Sequence, residues 1–221
     1  MLQEVKNQLK ITLMTIKYGL MREMLNKTSF IMNVGFMILN NATFIIQWVV
    51  IYSVKEDVGG YTFNQILLLW AIAASTYGFS HFIFKRAYSL SDLITNGKLD
   101  SFLVQPKNVL ISAITTDIEV SLGDLLYGYI VLVISGLTLT KFLLFTLFSI
   151  TGAIVITDIA VLLGSLSFWF GKSDMIADTG NSLMTNFSTY PDGIFKGVSR
   201  ILLLTVIPVG LTSYFPVWIM T

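Results

Sequence analysis

The chain has 221 residues, of which 54% are hydrophobic and only 12% charged, with 14 basic against 13 acidic side chains. A soluble domain carries about a quarter charged residues, so we expect an integral membrane protein, and the balanced charge gives no indication of nucleic-acid binding. The lack of cysteine and the single histidine, His81, exclude disulfides, a thiol nucleophile and a multi-histidine metal site.

Residues 1–27 are predicted to form an amphipathic helix. Apolar residues recur at intervals of three and four, which places them on one stripe of a helix: Leu2, Val5, Leu9, Leu13, Ile16, Leu20 and Met24. Basic residues lie at the edge of this stripe or beyond it. We expect the helix to lie in the plane of the lipid headgroups. The alternative is an amphipathic helix that packs on a partner.

Two membrane-spanning helices are predicted next, at residues 29–54 and 63–84. Each is long enough for the roughly 20 residues that a crossing needs. The first carries an unusual load of amides for a segment in lipid: Asn33, Asn40, Asn41 and Gln47. Because amides in hydrocarbon need hydrogen-bond partners, this side of the helix is expected to face other helices or a water-filled path.

The third predicted span, residues 109–139, carries acidic residues in its first half. Asp117, Ser121 and Asp124 are predicted to fall on one helical face near its inner end. They are expected to line an inward-facing cavity. The alternative is that the acids, Asp117 and Glu119 above all, cap or anchor the helix at the membrane interface, with the true span beginning near Leu125.

The fourth predicted span, residues 142–170, is interrupted by Asp158. A charge at membrane depth is costly unless it is paired, protonated or hydrated. Asp124 and Asp158 are therefore predicted to favour cationic cargo or to position its polar part. His81, one turn before Lys85, is expected to be an interfacial residue rather than a proton relay.

The distribution of basic residues predicts the orientation of the first four spans. With a cytoplasmic N-terminus, the inner segments hold ten basic residues: Lys6, Lys10, Lys17, Arg22, Lys27, Lys85, Arg86, Lys98, Lys107 and Lys172. The outer turns between spans hold only Lys55 and Lys141. A cytoplasmic N-terminus is therefore expected.

The last fifty residues allow two interpretations. One makes 197–220 a kinked fifth span with Lys196 and Arg200 inside, and the charge count favours it. The other makes 174–190 a polar fifth span that lines the pathway, followed by a re-entrant hairpin over 194–220. Irregular backbone at membrane depth is tolerated only against protein or water. The predicted substrate-pathway residues of the whole chain are polar side chains within predicted spans: Asn33, Asn40, Gln47, Asp124, Asp158 and Asn181.

Residues 85–108 form the longest polar stretch between hydrophobic runs. Within it, 89–108 predicts a short amphipathic helix, a break at Gly97, a second apolar turn and a stop at Pro106. One interpretation is a solvated loop on the bilayer surface. The other is a docking element through which a soluble partner pushes on the membrane helices.

Four stretches resemble the ABC-2 type permease subunits of ABC transporters, and the resemblance covers nearly the whole chain. They are Gly60-Tyr-Thr-Phe-Asn-Gln-Ile-Leu-Leu-Leu-Trp70, Ile94-Thr-Asn-Gly-Lys-Leu-Asp-Ser-Phe-Leu-Val-Gln-Pro106, Leu122-Gly-Asp-Leu-Leu-Tyr-Gly128, and Tyr190-Pro191 with Pro208 and Phe215-Pro216. The second resembles the family's cytoplasmic G-E-L-D-x-x-L-x-R-P element. The resemblance implies an all-α, type V exporter-like bundle with an interfacial N-terminal helix and five or six transmembrane helices. It also favours the hairpin interpretation of the C-terminal region.

The resemblance further implies that the 89–108 segment docks on an ATPase subunit. The residues it assigns to docking are those that match the element, together with one that departs from it: Gly97, Leu99, Asp100, Leu103, Gln105 and Pro106. Gln105 stands where the family usually has Arg, and Lys98 where it usually has Glu. These two differences predict an altered docking contact or a divergent partner.

No catalytic residue is predicted in this chain. Gly171-Lys172-Ser173 imitates the end of a phosphate loop, but position 166 is Leu rather than Gly and the motif follows a membrane helix rather than a strand. The resemblance implies a non-catalytic permease of an exporter in the cell membrane. It pairs with itself or a sister permease, has no cofactor of its own, and depends on a partner ATPase that binds ATP and Mg²⁺. The alternative is a membrane scaffold or sensor that recruits a soluble partner through 89–108.

Overall fold

The computed structural model describes residues 2–119 and 121–221, and within them it contains helices and no β-strand. Twelve α-helices follow one another: α1 Leu2–Glu23, α2 Lys27–Tyr52, α3 Phe63–Phe84, α4 Leu90–Thr95, α5 Asp100–Leu103, α6 Val109–Ile114, α7 Leu122–Ile134, α8 Leu139–Ser165, α9 Ser167–Phe170, α10 Asp174–Ser188, α11 Val198–Thr205 and α12 Phe215–Met220. Two 3₁₀ turns, Lys85–Ser89 and Asp192–Ile194, and a π turn, Gly210–Tyr214, complete the described helical structure.

Helices α2, α3 and α8 are long and apolar enough to cross a membrane, and the bent pair α11–α12 is a fourth candidate. The prediction of an all-α polytopic membrane protein is confirmed. The second predicted span coincides with α3, while α2 begins two residues earlier than predicted, at Lys27, because the Asn26 side chain caps its first turn by accepting from the Ser29 N–H.

Helix α3 is the centre of the bundle, with α7 and α8 packed along it. Small residues permit this close approach. A side chain at Gly128 of α7 would lie 2.8 Å from the Ala71 carbonyl oxygen, and one at Gly152 of α8 would lie 2.9 Å from the Thr76 methyl group. Close contact through small residues is the usual way in which membrane helices associate, because lipid supplies no hydrophobic drive between them.

The third predicted span is not one helix, since α6 ends at Ile114 and α7 begins at Leu122. Between them, the backbone and side chains make non-helical bonds: the Ile118 N–H donates to the Asp117 carboxylate and the Glu119 N–H donates to the His81 carbonyl. The expectation that Asp117, Ser121 and Asp124 share a helical face is therefore wrong.

The acids of this break are engaged in ion pairs, as the anchoring alternative requires. Asp117 accepts from Arg22 of α1 at 2.8 Å, and Glu119 lies 3.4 Å from the Lys85 ammonium. The hydrogen bond to Asp117 raises the pKa of Arg22.

Helix α1 packs on the segment between α6 and α7, because Gly19 leaves room for the Ile118 side chain. The stripe positions Leu9 and Leu13 are exposed, whereas the side chains of Leu2 and Val5 lie outside the described part.

The fourth predicted span lies within one membrane-spanning candidate, Leu139–Phe170, which begins three residues earlier. Helix α8 begins at Leu139, where the Thr138 hydroxyl accepts from the Lys141 N–H, so Leu139 belongs to this helix rather than to the third run. It ends at Ser165, and the short α9 carries the chain to Phe170.

The two ends of the bundle are defined by their contacts. At the α4 end lie residues 85–108 and the start of α10, where Ser173 contacts Ser91. At the Tyr61 end lie the α2–α3 turn and the residues after α10, where the Tyr61 hydroxyl donates to Asp192 at 2.8 Å. Helix α10 therefore runs through the whole bundle, from one end to the other.

The C-terminal segment leaves the Tyr61 end and returns to it. The Gly59 and Gly193 backbones touch, and the Thr221 hydroxyl accepts from the Gln65 amide at 3.1 Å. Between these points, α11 and the helical stretch Gly210–Met220 meet at 71°. The π turn directly precedes Pro216, which has no N–H for a regular α-helical bond.

The charge count misplaces Arg200. Its guanidinium is paired with the buried Asp192 carboxylate at the Tyr61 end, with an Nε to oxygen distance of 2.9 Å. Arg200 therefore lies at the same end as the α2–α3 turn, and not at the α4 end where the other basic segments lie.

Candidate substrate groove and docking segment

A cavity of about 280 Å³ lies between α2, α3 and α10 near the middle of the bundle. Its wall combines polar and aromatic side chains: Asn40, Asn41, Phe44, Trp70, Thr76, Tyr77, Asp124, Thr185, Asn186, Thr189, Tyr190 and Ser213. A mostly apolar cavity with a few convergent polar groups is the usual form of a small-molecule site.

The carboxylate of Asp124 is held in this cavity by a chain of hydrogen bonds. The Trp70 indole N–H donates to Asn41 Oδ1 at 3.0 Å, and Asn41 Nδ2 donates to Asp124 Oδ1 at 2.6 Å. Asn41 Nδ2 also donates to the Met37 carbonyl at 2.9 Å. Because the indole can only donate, the orientation of the Asn41 amide is fixed, and with it the position of the carboxylate.

Two hydroxyl groups in the cavity wall have no hydrogen-bond partner among the described residues. They belong to Thr76 and Ser213, which are 3% and 0% exposed. A buried hydroxyl without a partner costs free energy. The oxygen atoms of both are enclosed by protein rather than open to the cavity.

A second cavity of about 390 Å³ adjoins the first toward the α4 end. The two share Tyr77, Thr185 and Asn186, and the second is also lined by Asp178, Asn181 and Ser182 of α10. Together they form what we call the α10 groove, which follows the polar face of that helix. It explains why α10 is too polar for a lipid-facing span.

His81 lies in the wall of the second cavity. Its ring is stacked between Tyr77 and Tyr88, with centroid distances of 3.8 and 4.1 Å, and it is buried. It also lies one helical turn from Lys85, near the α4 end.

The structure brings three of the six predicted pathway residues to the α10 groove: Asn40, Asp124 and Asn181. Asn33 lines a smaller cavity of about 140 Å³ beside Lys85 and Glu119. Gln47 and Asp158 lie elsewhere, exposed on α2 and α8 respectively, outside the cavities of the described residues. The pathway role of all six remains a prediction.

The sequence did not single out several groove residues, namely Phe44, Trp70, Thr76, Tyr77, Tyr190 and Ser213. Trp70 and Tyr190 lie in the stretches that carry the family resemblance, which was the available signal. The hydroxyl residues gave none, because serine and threonine are ordinary in membrane helices.

The 89–108 segment is a folded unit with an inner and an outer side. Gly97 has φ +67°, which allows the chain to reverse between α4 and α5. Leu99 and Phe102 then pack against Leu93 in a small apolar cluster. Leu99, predicted to dock, therefore anchors the segment to the bundle.

The outer side of the segment presents Asp100, Leu103 and Val104 to solvent, and Val104 is 84% exposed. Gln105 donates from Nε2 to the Ser101 carbonyl at 2.9 Å, so its amide is bound within its own segment. Lys98 lies 3.5 Å from the Asp92 carboxylate and is also engaged locally. Pro106 is exposed at the end of the unit.

Three serines join this segment to α10. The Ser167 hydroxyl donates to Ser91 Oγ at 2.6 Å and lies 2.7 Å from Ser173 Oγ, and all three side chains are buried. The Ser173 backbone N–H also points at Ser91 Oγ, at 3.3 Å. The Gly171-Lys172-Ser173 motif thus forms the reversal between α9 and α10, with Ser173 in what we call the serine cluster.

Comparison with known proteins assigns the chain to a family. A family model described as ABC-2 family transporter protein matches residues 37–221, which include α3, the 89–108 segment and the α10 groove. No curated protein and no solved structure matches the chain. The match covers most of the sequence and agrees with the apolar spanning helices: the chain belongs to the ABC-2 family and is a permease component of an ABC transporter, a membrane protein.

Proposed function

We propose that this permease forms the substrate path of an exporter that moves an amphipathic or hydrophobic compound, such as a drug, a peptide or a lipid. The α10 groove is the path, and an ATPase docked on the 89–108 segment supplies the work. The observation that carries the proposal is the serine cluster, because it joins the segment directly to the first turn of the groove-lining helix. ATP and Mg²⁺ belong to the ATPase, and the permease carries no cofactor.

The outer side of the segment suits a protein partner. Leu103 and Val104 are exposed apolar side chains beside the Asp100 carboxylate, on a base that is packed into the bundle through Leu99 and Phe102. An apolar anchor with a charged rim is typical of a protein contact surface. The complementary ATPase surface therefore carries an apolar pocket with a basic edge.

A second permease, either another copy or a sister chain, completes the path. Helix α2 is almost wholly exposed, and the α10 groove is open on the side where Asn40, Phe44 and Asn186 lie. Covering this side by a second subunit closes the path. The charge distribution supports a cytoplasmic N-terminus in the cell membrane, with the α4 end on the same side as the ATPase.

The docking role is tested by a matched pair of substitutions, Val104→Glu and Val54→Glu. The two valines are 84% and 83% exposed, but Val54 lies in the α2–α3 turn at the opposite end. Val104→Glu is expected to abolish co-purification of the ATPase and ATP-driven transport while membrane insertion is unchanged. Val54→Glu should leave both as in the unmodified chain.

Equal co-purification and transport by both variants would contradict the docking role. Co-purification of a partner that does not hydrolyse ATP, with no transport in the reconstituted complex, would favour the scaffold or sensor alternative.

A further inference from the structure

The wall of the first cavity holds the Asp124 carboxyl group, which has no basic partner among the described residues. Asp124 Oδ1 accepts from Asn41, while Oδ2 accepts no hydrogen bond and lies in no ion pair among the described residues. Lys85, a basic side chain toward the α4 end, is paired with Glu119 at 3.4 Å. A carboxylate at this depth is costly unless it is paired, protonated or hydrated, and a bound cation would supply the pair.

The position of this carboxylate is fixed rather than adjustable. Asn41 is buried and uses both its amide N–H groups and its oxygen in the contacts with Met37, Asp124 and Trp70. A polar group locked by packing and a second hydrogen bond is the usual support of a binding site. The network thus presents Asp124 to the cavity in one orientation.

The remaining wall suits an organic guest. The Phe44 ring stacks on Trp70 with a centroid distance of 4.6 Å, and Phe44 and Tyr190 keep a face exposed. Aromatic faces attract cations as well as apolar groups.

We infer that the first cavity of the α10 groove binds a monovalent organic cation with an apolar body. Asp124 receives the positive charge, and Phe44 and Tyr190 contact the body. The cavity of about 280 Å³ in the single subunit has the volume of a small organic compound. The inference deepens the proposed function, on which it rests, by naming the class of cargo.

The test is calorimetric titration of the purified full-length chain in nanodiscs of neutral phosphatidylcholine. The probes are benzyltrimethylammonium and, as its uncharged comparator, benzyl alcohol. The unmodified chain is expected to bind the cation about tenfold or more tightly than the alcohol, because a charge pair in a protein site of low effective dielectric outweighs the same pair in water. Asp124→Asn should remove this preference and leave alcohol binding within about twofold.

Asp158→Asn is the matched control, since Asp158 is a second carboxylate at membrane depth that lies outside the cavity. It should leave the preference intact. If Asp124→Asn does not fold, Phe44→Leu serves instead, and loss of the exposed ring should weaken cation binding about threefold or more.

Saturable cation binding that survives Asp124→Asn, or no saturable binding of benzyltrimethylammonium to the unmodified chain, would overturn the inference. A preference lost equally in Asp158→Asn would do so as well. None of these measurements involves nucleotide or an ATPase. The proposed exporter role is therefore tested separately, by co-purification of the ATPase and by ATP-driven transport.

Discussion

Helices α2 and α3 are both long, apolar and adjacent in the chain, yet their surroundings are opposite. In the apolar 18-residue stretch of α2, 11% of the residues are buried. In the corresponding stretch of the helix that contains α3, 72% are buried. The difference comes from the packing surface, because α3 carries three alanines and two serines and lets α7 and α8 approach it closely. Hydropathy therefore identifies a span, while residue size decides which span becomes the centre.

The largest expected effect separates a glycine facing α3 from a glycine on the free side of α2. Gly128→Ala should lower the free energy of unfolding by about 1–3 kcal/mol, because the added methyl group meets the Ala71 carbonyl oxygen and the Ser75 hydroxyl. Gly35→Ala meets no atom within 4 Å and should be neutral or slightly stabilising. Thermal unfolding of the two variants in the same detergent measures the difference. Equal melting temperatures would contradict the central position of α3.

The next effect concerns Asn41, a buried and hydrogen-bonded residue of α2. Asn41→Leu leaves the Trp70 N–H and the Asp124 carboxylate without partners, at an expected cost of about 1–3 kcal/mol. The neighbouring Asn40 is exposed, so Asn40→Leu is the matched control and should change stability by less than about 0.5 kcal/mol. Chemical or thermal unfolding in lipid–detergent mixtures provides the measurement. A similar loss in both variants would mean that α2 is held along its length.

A smaller effect is expected where α2 passes into α3. Burial, followed by the bond to Asp192, raises the pKa of Tyr61, so that its hydroxyl remains a donor in alkaline solution. Tyr61→Phe should lower stability by about 1–2 kcal/mol, since Asp192 retains Arg200 but loses a charge-assisted bond.

The same substitution has a pH signature. Above about pH 10 the unfolded chain releases the Tyr61 proton while the folded chain keeps it, so this residue makes stability fall as pH rises. Tyr61→Phe should therefore show a shallower loss between pH 10 and 11 than the unmodified chain. An identical slope in both would argue against the raised pKa.

The smallest effect is expected on the exposed face of α2. Gln47→Leu should change the stability of the single subunit by less than about 0.5 kcal/mol, because the side chain makes no described hydrogen bond. A photo-crosslinking residue in place of Phe36 should capture lipid, whereas one in place of Ile72 on α3 should capture only the chain itself. Capture of a second permease from position 36 in the assembled transporter would locate that subunit on α2.

The sequence predicted most of the helices but not their continuity. The amphipathic start, α3 and the folded 89–108 segment follow from periodicity and from turn residues such as Gly97. The break between α6 and α7 could not be predicted in this way. The polar groups of Thr115–Glu119 are stabilised outside a helix only by their contacts with Arg22, Lys85 and the His81 carbonyl. Those partners are 30 to 100 residues away in sequence.

The sequence predicted some charged and amide residues of the candidate site but not the hydroxyl residues of its wall. Asp124 and Asn40 were identified because polar residues are rare in spans, and both line the groove. The same argument selected Asp158, which is equally rare but faces away from the groove. Thr76 and Ser213 were not predicted, because they come together only where the C-terminal segment packs on α3. That contact joins residues far apart in the chain.

The serine cluster sets a mechanical condition on the whole subunit. Any displacement of α4 must either break the bonds of Ser91 to Ser167 and Ser173 or carry the first turn of α10 with it. Helix α10 has 15 residues, a rigid rod about 22 Å long. A tilt of a few degrees about its Ser173 end therefore displaces its other end, beside Tyr190, by an ångström or more. The hydrogen bonds of the three serines thus fix the point about which α10 pivots.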